Sequence, residues 1–212
     1  MADYGTLKAR VQELSERAWD AQAIEARIKK LSKEGIPKKR LNRDEVAANK
    51  EQILDRVQQR AEEYNFILKN CAQSTALALM EEFGLGTMEM IKALTPFPGI
   101  GGTGQLCGGV TGSLIAFGLY FGSDDRLDHE ATGATINTAQ RFMARFQDEL
   151  GYLLCADLQE HVVFGRNMDP GASKENMEAF AKAKGFEKCS LIPGIGARLA
   201  AGFIIESIDE VV

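Results

Sequence analysis

Apolar residues recur at Leu7, Val11, Leu14, Ala18, Ala21, Ile24, Ile28 and Leu31, at spacings of three and four that place them on one face of a helix. The pattern predicts one long amphipathic helix over residues 4–34, closed by Gly35 and Pro37, a left-handed cap and a residue that cannot extend the ladder. Asn42 followed by Glu45 reads as an N-cap with its capping box. From there Val46, Ile53, Leu54, Val57, Ala61, Tyr64, Ile67 and Leu68 carry a second helix, with no breaker before Gly84 and Gly86. Two long helices joined by a short turn form an antiparallel hairpin. Each carries one apolar stripe that must be buried against the domain or another chain, and a homodimer is the expected arrangement.

The pattern then changes. Between Lys92 and Asp124 lie 31 residues without a charge, including nine glycines and the pair Pro96 and Pro98. Only Leu106 to Gly122 is continuous enough to be tried as a membrane span, and it is shorter than the roughly 20 apolar residues such a span needs. It reads instead as a helix buried on all sides. Gly108 with Gly112, and Gly118 with Gly122, would let neighbouring helices approach closely. Asp128 to Leu150 is a further helix with Ile136, Ala139, Phe142, Met143, Phe146 and Leu150 facing inward, and Gly151 interrupts it before a short helix from Tyr152 to Val163. Arg166 to Ser173 is a loop, Lys174 to Lys182 a surface helix, and Ser190 to about Asp209 the closing helix. GFIIESIDEVV fits a helix end as well as a strand. No segment alternates convincingly, so the fold class is all-α: a helical bundle domain, residues 58–212, behind an N-terminal hairpin extension, residues 1–57.

Composition excludes several classes. With 212 residues, 45% hydrophobic and 26% charged, the chain matches a folded globular protein and not a disordered or collagen-like one. Its net charge of −5 lacks the basic footprint of a general nucleic-acid binder. The opening MADYGTLKAR has no apolar stretch, so no secretory signal is visible and a cytoplasmic, reducing setting is expected. One local exception is the turn carrying Lys29, Lys30, Lys33, Lys38, Lys39, Arg40 and Arg43 against Glu34 alone, a local +6 beside −11 elsewhere. It reads as a solvated turn, or as a dock for an acidic partner.

Gly99-Ile100-Gly101-Gly102-Thr103-Gly104 has the GxGxxG spacing of dinucleotide sites, yet Thr95-Pro96-Phe97-Pro98 before it cannot be a central strand. A glycine turn with amides facing an anion is the reading that survives. His129 and His161 each follow an aspartate by four residues, Asp125 and Asp157, a spacing that puts each pair on one helical face as an ordinary surface contact. The four cysteines, Cys71, Cys107, Cys155 and Cys189, lie 36, 48 and 34 residues apart, without a CxxC pair. Cys107, Cys155 and Cys189 fall where helices are predicted to begin, and a helix N-terminus favours thiolate, the form that ligates metals or attacks disulfides. Four inert buried thiols are the plain alternative.

Asn70-Cys71-Ala72-Gln73-Ser74, then Gly101-Gly102-Thr103-Gly104-Gln105-Leu106-Cys107-Gly108-Gly109-Val110-Thr111-Gly112, then isolated Cys155 and Cys189, resemble the C_GCAxxG_C_C family of redox-active proteins over roughly residues 58–205. Gly109 stands where alanine is expected, and the N-terminal hairpin extends beyond the usual domain. The resemblance implies a helical domain whose four cysteines form one redox site. An iron–sulfur cluster, [2Fe-2S] or [4Fe-4S], is the implied cofactor, with zinc or no metal as alternatives, and a redox partner protein is expected. Gly101, Gly102, Gly104 and Gly108 would then line the cofactor and hydrogen-bond its sulfurs. The absence of CxxCH gives haem no attachment. A thiol/disulfide oxidoreductase using one cysteine pair, and an interaction subunit with structural cysteines, are the competing readings.

Overall fold

A computed structural model describes residues 2–39 and 41–210. Arg40 of the basic turn and the last two residues of GFIIESIDEVV lie outside that range. The structure is 74% helical, and no strand occurs among the described residues. In chain order the helices are α1 (Tyr4–Glu16), α2 (Ala21–Glu34), α3 (Arg43–Ala48), α4 (Lys50–Leu68), α5 (Cys71–Phe83), α6 (Met88–Ala93), the glycine turn α7 (Gly99–Gly102), α8 (Gly108–Phe121), α9 (His129–Leu150), α10 (Cys155–Asp157), α11 (Lys174–Lys182), α12 (Gly185–Cys189) and α13 (Leu191–Glu210). A π-helical segment, Leu158–Phe164, continues α10.

Helix α5 is the centre. Nearly every side chain from Ala72 to Phe83 is buried, because α5 packs at once against α4, α8 and α13. Helix α8 lacks a polar face; it is buried from Gly108 to Ser113 and at Ala116 and Phe117, and partly open beyond, and α9 covers it with Phe142, Phe146 and Leu150 while its other side meets solvent. Phe117 of α8 meets Phe142 edge-on with ring centroids 5.2 Å apart, a geometry that aligns ring edges with ring faces. The seam between α5 and α8 is glycine-dependent. A Cβ on Gly112 would stand 2.4 Å from the Ala72 carbonyl oxygen and 2.9 Å from Thr75 Cβ. Of the second pair, Gly118 faces open space and Gly122 lies against its own helix at Gly118, so only Gly108 and Gly112 serve a helix contact.

Two predicted continuous helices are broken. The first divides at Arg17–Asp20, where Arg17 adopts φ −58°, ψ 133° and the Asp20 side chain caps α2 through Ala23 N. Tertiary contacts make this break. Trp19 stacks on Phe66 at 4.9 Å, its Nε1 donates to the Leu14 carbonyl, and Arg17 lies over its ring. The second divides at Asn49 and again at Lys69–Asn70: Lys69 takes the left-handed conformation at φ 54°, and Asn70 caps α5 by accepting from Gln73 N. The second break makes Cys71 the first residue of a helix.

The N-terminal stripe folds back on this same chain. Leu7, Val11, Leu14, Ile24 and Leu31 are buried in one core cluster with residues of α4, α5 and α13, and α4 runs unbroken through position 57. The burial that motivated a homodimer is therefore satisfied within one copy. A buried ionic cluster fixes the arrangement. The Glu62 side chain, 2% exposed, accepts from Arg10 at 3.0 Å and Arg17 at 2.7 Å, and removing one partner of such a group costs about 3–5 kcal/mol. The basic turn is similarly engaged, with Lys38 Nζ donating to the Gly86 carbonyl and Lys39 Nζ to that of Glu82, where α5 ends and its dipole attracts cations.

One helical run, Gly185–Ile208, is long and apolar enough to cross a membrane by length and composition, and 56% of its apolar window is buried inside the fold. The 14-residue α8 is shorter than a span.

The seam between α5 and α8 yields a paired prediction. Gly112→Ala lowers the melting temperature by about 5–10 °C, as expected for overpacking of about 2–3 kcal/mol in a chain of this length. Gly118→Ala, with nothing within 4 Å of its added Cβ, leaves it equal or higher because alanine favours helix. Circular dichroism melts of both variants check this, and a Gly112→Ala protein melting with wild type would contradict the close contact.

Candidate functional site

The four cysteines come from four parts of the chain, and each arrives by a separate local device. Cys71 begins α5 because Asn70 caps it. The same Asn70 donates through Nδ2 to the Thr95 carbonyl, while Gln73 Nε2 donates to Ile91 O and Thr95 Oγ1. The Asn70–Gln73 motif thus also anchors the start of the proline–glycine loop. That loop runs through successive left-handed residues, Gly99, Ile100, Gly101, Gly102 and Gly104, with φ between 48° and 77°. For Ile100, a β-branched residue at φ 48°, this is a costly conformation of the kind that collects at functional sites.

The loop then lies beside the segment before α10. Cys107 N donates to Leu153 O at 3.0 Å, Cys155 N to Gln105 O at 2.8 Å and Ala156 N to Gly104 O at 3.0 Å, around an isolated antiparallel bridge between Leu106 and Leu154. This short ladder sets Cys107, the N-cap of α8, beside Cys155, the first residue of α10. Cys189 ends α12 and, as the sequence pattern has it, lies just before the final helix, α13. Cys71, which that pattern left inside a helix, begins one because of the break at Lys69–Asn70.

All four cysteines line one cavity of about 100 Å³, enclosed also by Lys69, Pro98, Gln159, Pro170, Phe180 and Phe186. Cys107 is buried and the other three are half-buried, all as free thiols. Cys71 and Cys107 are close enough that each thiol shifts the acidity of the other. Among the described residues, no group of three or more His, Cys, Asp or Glu side chains is gathered closely enough for one metal ion. Gly108 decides how near the first pair stands: a Cβ there would lie 2.2 Å from the Cys71 sulfur and 2.5 Å from Ala72 N.

Electrostatics separate the sulfurs. The hydrogen bond with Cys107 holds the Cys71 thiol below the usual range, against burial, aided by backbone amides of Gly108, Ala72 and Cys71 itself. The same pairing pushes Cys107 well up, as do burial and the charges of Cys71 and Cys155, with Gly109 N–H opposing. Burial raises Cys155 to about 11, the charge on Cys71 adding to it and a hydrogen bond from Gln159 opposing it. Burial likewise raises Cys189 well above the ordinary range, with smaller contributions from Cys155 and Cys71. Helix position alone suggested three thiolates, but desolvation outweighs the dipole at Cys155 and, together with the Cys71 bond, at Cys107.

The glycines divide by role. The Gly108 amide helps lower the pKa of the Cys71 thiol, and Gly104 supplies the carbonyl that receives Ala156 N. Gly101 N and Gly102 N bond to the carbonyls of Pro96 and Pro98 within their own turn, and both residues are exposed. Gly99, whose Cβ would lie 3.6 Å from the Cys155 sulfur, and Gln159, 4% exposed, complete the site; the sequence reading singled out neither for it. Gln159 is four residues after Cys155, a helical spacing that marks it in retrospect. His161 stacks on Tyr152 at 4.7 Å and stands apart from the cavity lining.

A family model described as "Putative redox-active protein (C_GCAxxG_C_C)" matches residues 69–201, a span that contains all four cysteines. No curated protein and no solved structure matches the chain.

With the thiols reduced and metal-free, iodoacetamide labels Cys71 at the lowest pH, because a depressed pKa yields thiolate earliest, and Cys155 only as the pH nears about 11. Peptide-resolved mass spectrometry over a pH series checks the order. Cys155 labelled ahead of Cys71 would contradict it.

Proposed function

The chain belongs to the C_GCAxxG_C_C family, and from that premise we propose that it is an electron-transfer protein whose Cys71, Cys107, Cys155 and Cys189 together hold an iron–sulfur cluster. The observation that carries the reading is the convergence of all four sulfurs on one cavity. Its volume of about 100 Å³ is well below the roughly 300–1,000 Å³ of sites for organic ligands, and suits a compact inorganic group bound by thiolates. Four donors around one zinc ion at about 2.3 Å would lie under about 4 Å from one another. A cluster bridges more widely spaced sulfurs, in keeping with four cysteines that share a cavity without forming a ready single-ion site.

The cluster would supply one-electron transfer. The residues of this chain would do the rest. Backbone amides of Gly108 and Ala72 favour the charged form of the Cys71 sulfur and that of Gly109 the charged form of Cys107, and amides that stabilise negative charge on sulfur favour the reduced state. Pro98, Pro170, Phe180 and Phe186 exclude water. Four free thiols suit a reducing compartment, where thiols are not held as permanent disulfides, and an electron donor or acceptor protein is the implied partner.

One observation favours a second reading. The Cys71 and Cys107 thiols shift each other's acidity in opposite directions, with Cys71 the more acidic, as in a dithiol that attacks a disulfide through its thiolate and closes to a disulfide itself, transferring two electrons and two protons to the substrate.

Cys107→Ser separates the readings. In protein purified without oxygen, the substitution reduces iron and acid-labile sulfide below about a tenth of wild type, since serine is a poor ligand for soft metals. Far-ultraviolet circular dichroism stays unchanged, with a stability loss of about 1–3 kcal/mol for the buried hydroxyl. Equal metal content in both proteins would overturn the cluster. Absence of metal from both would do so too, and would favour the dithiol if Cys71 and Cys107 then cycled with a disulfide.

A further inference from the structure

Gln159 is a neutral amide, 4% exposed, in the first turn of the π-helical segment that follows Cys155. Its hydrogen-bonding capacity is spent at two places. Nε2 donates to the Cys155 sulfur at 3.4 Å. Oε1 accepts from Met168 N at 3.0 Å and Asp169 N at 3.2 Å. The segment it grips is held in a conformation that its sequence does not favour: Asp169 stands at φ 33°, a left-handed setting that persists in a non-glycine residue only when the surroundings over-determine it. Other contacts share the restraint: Asp169 N also donates to Asn167 Oδ1 at 3.1 Å, and Ala172 N donates to the Asp169 carbonyl at 3.2 Å. Asn176 Nδ2 donates to the Asp169 carbonyl at 3.1 Å, and Gly171 touches Gly102 of the glycine loop, where an added Cβ would meet the Gly102 carbonyl oxygen at 2.8 Å. Between these contacts Pro170 forms part of the cavity wall.

We infer that Gln159 is a positioning residue of the four-cysteine site, fixing the Cys155 sulfur and the Met168–Pro170 flap as one unit, so that its amide controls access to the Cys155 side of the cavity. The inference rests on the reading of Cys155 as part of a redox site. The geometry separates the two ends of the amide. The oxygen holds the flap, which any acceptor of the same shape can do, and the NH₂ group holds the sulfur, which requires a donor. The π-helical geometry fits this use, since π-bulges in helices recur at functional sites.

Two substitutions test it on the full chain, reduced with a phosphine and treated with EDTA, so that the result does not depend on bound iron. Gln159→Met removes both hydrogen bonds at similar volume. Gln159→Glu keeps an acceptor for the two amides and loses the donor to sulfur. The readouts are hydrogen exchange at Met168 and Asp169, and alkylation of Cys155 relative to Cys189 in the same sample. For Gln159→Met the Met168 amide exchanges at least tenfold faster, the Asp169 amide less so because Asn167 Oδ1 still accepts from it, and the relative labelling of Cys155 rises at least tenfold. For Gln159→Glu the amides stay within threefold of wild type and Cys155 stays covered. A residue that merely packs would change Cys155 and Cys189 together, or neither. Unchanged exchange and labelling in Gln159→Met would overturn the inference, and so would a flap released equally by both substitutions. If Gln159→Met does not fold, loss of amide protection in the folded Gln159→Glu protein still overturns it, and retained protection supports it. Iron and sulfide in the untreated wild-type protein are measured separately, so a failure of the cluster proposal is distinguishable from a failure of this one.

Discussion

Where a side chain of residue 108 would stand, the Cys71 sulfur stands instead. That close approach depends on α5 and α8 meeting backbone to backbone, with Gly112 one turn further along allowing the same contact against Ala72 and Thr75. The remainder of the site follows from it. Cys107, immediately before Gly108, is brought close enough to Cys71 for the two thiols to shift each other's acidity. A larger residue at 108 would move α8 outward, and Cys107 with it. The next helix is locked by the same means, since a Cβ on Gly196 of α13 would lie 2.7 Å from the Gly109 carbonyl oxygen. A Cβ on Gly109 would lie 3.0 Å from the Ile192 carbonyl oxygen, so an alanine here would require α13 to give by a few tenths of an ångström.

Around that seam the helices act as a frame and the irregular segments carry the chemistry. The three-bond ladder between residues 104–107 and 153–156 delivers Cys155, and α12 delivers Cys189 from the far end of the chain. Loops hold functional groups well when a rigid scaffold positions them, and here the scaffold is α5, enclosed by α4, α8 and α13. The N-terminal helices contribute at one remove. Arg10 and Arg17 neutralise Glu62, against which Gly194 of α13 packs, so this extension is tied to the helix that follows Cys189.

The sequence showed much of this frame and less of the site. Helix ends written in local chemistry were readable: Gly35, Gly84 and Gly151 end helices in positive-φ conformations, and Asn42 and Asp128 begin them as side-chain caps. The break at Arg17–Asp20 was not, because Trp19 stacking on Phe66 joins residues remote in sequence and contains no glycine or proline to announce itself. The break at Lys69 required a left-handed lysine, which no local rule predicts. The four cysteines were recognisable as a set through their order and the glycine-rich segment between them. Their acidities were not, since helix position and burial act in opposite directions and only the structure shows burial prevailing at Cys155 and Cys189. The ladder joining Leu106 and Leu154 is too short for any alternating pattern, and with it Gln159 and Gly99 escaped the sequence.

The central claim is that the four cysteines act as a single site, and the number of thiols that change state together tests it most directly. Reduced protein would be incubated anaerobically with ferrous iron and sulfide, desalted, and alkylated under native conditions, and the cysteines protected from reagent identified by peptide mass spectrometry. The account predicts that Cys71, Cys107, Cys155 and Cys189 become protected together and in proportion to the iron retained. Protection of only two of them, or labelling of all four at the rates of untreated protein, would contradict it.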